Sequence, residues 1–143
     1  MIIITGSEDA DKKIIAKTLE RILFNDGRLI YYLGIGNILY GVDSDINKNE
    51  REEHIRRLAE VANILLETGA ILIVTATNLT GGDISLIKTV LSREPEHIIS
   101  YWVGEGVGTD IKPDMLIADY ADAVKAALMI KSDMQERNII YKP

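Results

Sequence analysis

The feature that most constrains the fold of this chain is a regular alternation of short apolar segments with longer segments of helical periodicity. No tight hairpin signal joins two of the apolar segments, so each crosses to the next through a helix. This alternation predicts a doubly wound parallel sheet. The predicted strands are residues 2–5, 28–33, 70–76, 98–103 and 115–118, and the predicted helices are residues 11–24, 50–68, 84–92 and 120–136.

Length and composition limit the class of protein. The chain has 143 residues, which fits a single domain over 1–143, and 47% of them are hydrophobic. No apolar run is long enough to cross a bilayer, and no basic leader precedes an apolar segment. The chain has no cysteine, and its net charge of −6 disfavours a nucleic-acid surface. We therefore expect a cytoplasmic domain that binds neither membrane nor nucleic acid.

The first loop carries an altered phosphate-binding motif. Gly6 and Lys12 stand at the spacing of the Walker A pattern G-x-x-x-x-G-K-[ST], between a strand and a helix. Asp11 replaces the second glycine and Lys13 replaces the hydroxyl residue. A carboxylate ~5 Å from a phosphate charge costs roughly 3 kcal/mol at an effective dielectric of ~20. Alternatively, Asp9 or Asp11 caps the helix, and Lys12 and Lys13 are solvated residues of its first turn.

Four loops are predicted to share one rim, because ligands of parallel sheets bind at the carboxyl ends of the strands. These loops are residues 6–12, 34–47, 77–83 and 104–112. For most polar or aromatic residues near the rim, a structural role is the expected one. We expect core packing for Tyr101 and Trp102, a structural role for His54 and His97, and a salt-bridged face for Arg56 and Arg57.

The densest motif lies around the second of these loops. Asn37-x-x-x-Gly41-Val42-Asp43-Ser44-Asp45 is followed by Arg51-Glu52-Glu53-His54-Ile55-Arg56-Arg57-Leu58-Ala59-Glu60-Val61-Ala62. These residues resemble the adenylylsulfate (APS) kinase family, which carries D-G-D-N-x-R-x-G-L-N-x-D-L and then D-R-x-E-N-I-R-R-x-A-E-V-A. The order of elements also agrees, so the resemblance covers essentially the whole chain.

The resemblance implies a three-layer α/β/α P-loop NTPase fold of the nucleoside-kinase type, with a five-stranded parallel sheet. In ordinary members it implies transfer of the γ-phosphate of ATP to the 3′-hydroxyl of APS with magnesium. This sequence departs from the family at the rim. Gly34 and Gly36 stand where the family has two acidic residues, the F-I-S-P-Y segment has become 77–81, and the basic lid has no counterpart in residues 105–112.

These departures predict an APS-kinase-like domain that has lost catalysis and serves as a binding, regulatory or assembly module. The alternative is a divergent ATP-dependent kinase that acts on adenylylsulfate or a related small anion. No catalytic or metal-ligating residue is assigned, and ATP and Mg are expected only if the family activity is retained. By resemblance, the partner is a sulfate-activating enzyme or a fused GTPase or sulfurylase domain, and the chain forms a homodimer. The predicted cofactor-binding residues are Gly6, Lys12 and Lys13, and the predicted substrate-binding residues are Asp43, Arg51 and His54.

Overall fold

The computed structural model describes residues 1–7, 10–34, 50–91 and 97–141 of the chain. Among these residues, five strands and four helices alternate, as the sequence predicts. The strands are β1 (Ile2–Gly6), β2 (Ile30–Gly34), β3 (Ile71–Thr77), β4 (Ile99–Val103) and β5 (Met115–Ile117). The helices are α1 (Lys12–Asn25), α2 (Arg51–Leu66), α3 (Gly81–Leu91) and α4 (Ala123–Glu136).

All five strands are parallel and form one sheet in the order β2-β3-β1-β4-β5. β1 lies at the centre, where Ile2 is opposite Ile73 of β3 on one side and Ile99 of β4 on the other. Every residue of β1 and β4 is buried, because both strands are covered on both faces of the sheet. This explains why their sequences are apolar without the alternation of a half-exposed strand.

Two helices cover each face of the sheet. α1 packs with α4 over one face, in a core that includes Ile4, Leu19 and Ile130. α2 packs with α3 over the other face, in a core that includes Leu58 and Ile87. The structure therefore confirms the predicted three-layer α/β/α architecture with a five-stranded parallel sheet.

Two helices begin at other residues than predicted, and in both cases a cap decides. α3 begins at Gly81 rather than residue 84, because Thr80 and Asp83 form a reciprocal capping box. The amide of Asp83 donates to Thr80 Oγ1 at 3.1 Å, and the amide of Thr80 donates to Asp83 Oδ2 at 2.9 Å. α4 begins at Ala123 rather than residue 120, because the Asp122 carboxylate accepts the amides of the first turn.

None of the described helices has both the length and the apolar character needed to span a membrane.

Candidate functional site

Three of the four predicted rim loops are held together by hydrogen bonds. The amide of Asn78 donates to the carbonyl of Gly6 at 2.8 Å, and the amide of Leu79 donates to Thr5 Oγ1 at 3.0 Å. The hydroxyl of Thr109 donates to the carbonyl of Leu79 at 2.6 Å. The loop after β3 thus bridges the end of β1 and the glycine-rich loop after β4. The shared rim is confirmed for these loops, and residues 35–49 lie outside the described part of the chain.

Gly6 is fixed by the sheet itself. A Cβ at this position would lie 2.1 Å from the carbonyl oxygen of Val103 on β4, and the φ angle is +153°. Only glycine combines this conformation with so close an approach of two backbones. The presence of Gly6 therefore has a structural reason that is independent of any nucleotide.

Lys12 is buried, so the prediction of a solvated side chain is wrong for this residue. Its Nζ donates to the carbonyl of Ser7 at 2.7 Å and to that of Ala10 at 3.3 Å. The loop supplies these carbonyls because it curls back between β1 and α1. The ammonium of Lys12 therefore lies inside the loop and is bound by it.

Lys13 is exposed and lies on another surface. It lines a shallow groove on the outside of α1, together with Lys17, Thr18 and Arg21. These residues follow at helical spacing on one face of α1. The structure therefore does not bring Lys13 to Lys12, although the two are adjacent in sequence.

Asp11 stands at the N-cap position of α1, but its side chain caps nothing. Its backbone angles, φ −86° and ψ 67°, are not those of a capping residue with an extended backbone. The prediction that Asp11 caps the helix is therefore wrong, and Asp9 lies outside the described residues. Inside the loop, the amide of Ala10 donates to the Ser7 carbonyl and that of Lys12 to the Ala10 carbonyl. Two loop amides are thus used by the loop's own carbonyls.

Gly34 ends β2 beside a pair of hydroxyl groups. The Tyr32 hydroxyl and Thr75 Oγ1 are hydrogen-bonded to each other at 2.8 Å. A Cβ at Gly34 would lie 2.8 Å from the Tyr32 hydroxyl and 3.3 Å from Thr75 Oγ1. The space in which a side chain at this position would begin is therefore taken by the hydroxyl pair. Gly36 lies outside the described residues.

Arg51 begins α2 and is bound to the loop after β3. It donates to Asp83 Oδ2 from both Nε (3.4 Å) and Nη2 (3.1 Å). Nη2 also donates to the carbonyls of Thr77 and Asn78, at 3.2 and 3.3 Å. Together with Thr80, Gly82 and other residues, it lines an open cleft of about 430 Å³ between the starts of α2 and α3. Arg51 is thus at the rim, as predicted, but its guanidinium already has a carboxylate partner.

The other predicted substrate-binding residues are not displayed at the rim by the described structure. His54 is 1% exposed within α2, which agrees with the structural role expected for it. Asp43 lies outside the described residues.

A salt-bridged face on α2 is confirmed. Glu53 accepts hydrogen bonds from Arg56 Nε at 2.9 Å and Arg57 Nε at 3.0 Å. These bonds, first from Arg56 and then from Arg57, lower the pKa of Glu53 to about 2. Arg56 also pairs with Glu60 at 2.9 Å. The arginines of the family-like motif therefore bind to their own helix.

Sequence reasoning missed the partners that occupy the rim. The Thr80-x-x-Asp83 spacing is a capping-box signal that could have placed Asp83. Nothing in the sequence pairs Tyr32 with Thr75, since the two residues meet only through the parallel register of β2 and β3. The same is true of Trp102, whose burial was predicted but whose surroundings were not.

The sheet order β2-β3-β1-β4-β5, with a lysine-bearing loop between β1 and α1, defines the P-loop kinase class of α/β fold. The family model of adenylylsulphate kinase matches residues 1–100, and the chain belongs to that family. The adenylyl-sulfate kinase of Clostridium kluyveri is 34% identical over 96 residues, which are 66% of this chain and 48% of the relative. The chain therefore spans about half the length of this curated relative.

Two further comparisons broaden this result. The bifunctional enzyme NodQ of Rhizobium meliloti is 37% identical over 73 residues, which are 50% of this chain and 11% of that enzyme. The Mycobacterium tuberculosis APS kinase CysC, solved in complex with AMPPNP and APS, superposes with a TM-score of 0.78. The superposition covers 94% of this chain and 96% of CysC at 19% identity, which establishes the common fold.

The described residues do not fit a magnesium nucleotide as the family would hold it. Lys13 has no hydroxyl to offer a metal ion, and it lies in the groove on the outside of α1. Gly34 offers no carboxylate, and the hydroxyl pair takes the space where one would begin. Oxygen ligands are what Mg²⁺ requires. At these two positions the chain supplies none.

Proposed function

We propose that this chain is a non-catalytic member of the adenylylsulfate kinase family that works as a binding, regulatory or assembly module. The observation that carries the proposal is the hydroxyl pair of Tyr32 and Thr75 beside Gly34. Phosphoryl transfer depends on positioning and on neutralising the charge that develops on the phosphate, chiefly through a metal ion. A hydrogen-bonded pair of neutral hydroxyls does not replace a carboxylate in that role.

The state of the two rim cations supports the same proposal. Lys12 is bound by two loop carbonyls, and Arg51 is bound by Asp83 and two further carbonyls. An incoming phosphate would have to displace these partners before it gained either cation. The preorganised charge that favours a transition state is therefore already used in the resting fold.

One observation favours the alternative of a divergent kinase. The ammonium of Lys12 stays inside the loop, 2.7 Å from the carbonyl of Ser7, rather than extending into solvent. A phosphate could exchange with the weaker Ala10 contact at 3.3 Å while the lysine remained in place. On this alternative, Lys12 would be essential for turnover.

A direct assay separates the two proposals. Phosphoryl transfer from MgATP to APS would be measured with the purified chain, with the Clostridium kluyveri enzyme as the active reference. We expect no turnover above the rate without protein, and no magnesium-dependent ATP binding by calorimetry in the millimolar range or tighter. Turnover that Lys12→Ala abolishes and Lys13→Ala retains would overturn the non-catalytic proposal.

As an assembly module, the chain would act as one cytoplasmic domain over residues 1–143, beside a sulfate-activating enzyme or a sulfurylase or GTPase domain. The match to NodQ, a protein whose name describes a bifunctional enzyme, supports association of this fold with a second activity. We also propose a homodimer. Light scattering coupled to gel filtration would test the dimer, and co-purification with the sulfurylase of the same cell would test the partner.

A further inference from the structure

Trp102 carries the clearest unexplained polar group in the described structure. Its side chain is 1% exposed and packs in the core beneath α2 and α3, one residue before the end of β4. Its indole Nε1 has no hydrogen-bond partner among the described residues. An indole N–H can only donate, and buried donors in native proteins are almost always satisfied. This donor therefore calls for an acceptor that the described residues do not provide.

The surroundings of Nε1 indicate where that acceptor would come from. A Cβ at Gly104 would lie 3.1 Å from Nε1 and 3.6 Å from Ser7 Oγ. A Cβ at Gly108 would lie 3.6 Å from Cζ2 of the same indole. The edge of Trp102 that bears the N–H is therefore bordered by two glycines and by the first loop. Gly104 has a φ of +150°, a conformation that side chains rarely adopt.

The charge beside this edge is positive. The Nζ of Lys12 is bonded to the carbonyl of Ser7 at 2.7 Å, so an ammonium lies next to the residue whose hydroxyl borders the indole. Ser7 Oγ and Trp102 Nε1 are both able to donate, and the cation favours an acceptor that carries negative charge. A phosphate or sulfate oxygen meets both conditions.

We propose that a small phosphate- or sulfate-bearing molecule binds between the first loop and the glycine-rich loop 104–108. One of its oxygens accepts hydrogen bonds from Trp102 Nε1 and from the hydroxyl of Ser7. The inference rests on the proposed function in one respect: the molecule is bound as a ligand and is not phosphorylated. It gives the binding module a ligand class and a pair of donors.

Access to Nε1 requires the glycine-rich loop to move. Residues 105, 106, 107 and 108 are exposed, and three of the five residues of this loop are glycine. Glycines tolerate the backbone changes of such a movement better than other residues. The ligand oxygen would enter beside Gly104, where the absence of a side chain leaves the N–H edge uncovered.

The test uses the fact that Trp102 is the only tryptophan of the chain. Uniform ¹⁵N labelling gives a single indole Nε1–H resonance, which reports on this donor alone. Inorganic phosphate and sulfate would be titrated at constant ionic strength, with chloride as the control anion. We expect a saturable downfield shift of the indole proton and slower exchange with solvent for phosphate or sulfate but not for chloride.

Two variants make the test specific. Ser7→Ala removes one donor and keeps the indole reporter, and we expect it to weaken the apparent affinity about tenfold, as loss of a hydrogen bond to a charged group does. Trp102→Phe removes the other donor, and calorimetry should show a comparable loss. Lys13→Ala, on the outer face of α1, is the matched control and should leave the titration unchanged.

The result that overturns the inference is an indole resonance that does not shift saturably, or one that shifts equally in wild type and Ser7→Ala. This outcome is distinct from failure of the proposed function. MgATP turnover together with a specific indole shift would overturn the non-catalytic proposal alone. Absence of both turnover and shift would overturn the ligand site alone.

Discussion

Arg51 and Asp83 form the ion pair that joins the start of α2 to the start of α3, with Nη2 and Oδ2 3.1 Å apart. The same Oδ2 accepts the amide of Thr80 in the capping box. Asp83 therefore serves two structures at once, while Arg51 serves one. The side chain of Arg51 is 48% exposed and that of Asp83 is 12% exposed.

This asymmetry predicts unequal effects of removing the two partners. We expect Asp83→Ala to lower the free energy of unfolding by about 1–2 kcal/mol, since it removes a capping interaction as well as the ion pair. Arg51→Ala should cost less than about 1 kcal/mol, as exposed ion pairs generally do. Urea denaturation of both variants would measure the difference. Equal losses would show that the capping box contributes little.

Lys12 and Lys13 offer a matched pair for the first loop. In nucleotide-free buffer, Lys12→Ala should lower the free energy of unfolding by about 1–2 kcal/mol, because it deletes bonds from a buried ammonium to two carbonyls. Lys13→Ala should stay within about 0.5 kcal/mol of the wild type, because its side chain is exposed. Thermal and urea denaturation would compare them. Identical stabilities would contradict a structural role for Lys12.

The space beside Gly34 can be measured by a double-mutant cycle. Gly34→Ala should cost about 1–3 kcal/mol, because its Cβ would meet the Tyr32 hydroxyl at 2.8 Å. The same substitution in Tyr32→Phe should cost less, because the nearest remaining atoms lie at 3.3 and 3.4 Å. The coupling between the two changes is the quantity to determine. A coupling of zero would mean that the hydroxyl does not fill this space.

Glu53 predicts a pH dependence of stability. Its pKa is lowered from 4.5 to about 2 by hydrogen bonds from Arg56 and then Arg57. Because the folded-state pKa is depressed, the contribution of Glu53 is fully present above pH 4.5 and is lost as the pH falls towards 2. Carboxyl-carbon NMR would follow its titration directly. In Arg56→Ala, the pKa of Glu53 should rise towards its ordinary value, and an unchanged pKa would contradict the assignment of the cause.

The sequence predicts the layers of this fold because periodicity and burial agree. β1 and β4 read as fully buried strands, and their neighbours in the sheet follow from alternation with helices. The helix starts were misplaced where a cap lay in an unexpected register. Thr80-x-x-Asp83 and Asp122 both carried the signal.

The candidate site is harder to predict, since its contacts join residues that are distant in sequence. Lys12 is buried because the loop turns its own carbonyls towards the ammonium, which a linear motif does not reveal. Gly6 is required by Val103, almost a hundred positions away, rather than by a phosphate. The retained letters of the phosphate motif are therefore explained by the scaffold as well as by a ligand.

The central position of β1 has a consequence for how the molecule folds. Its neighbours in the sheet are β3 and β4, so Ile2 must find Ile73 on one side and Ile99 on the other. Each pairing closes a long loop, whose entropy is lost before the contacts stabilise the sheet. Folding rates fall as such sequence separations grow. During synthesis, the first strand to leave the ribosome is thus among the last whose pairing is complete, and until then its apolar residues depend on transient contacts.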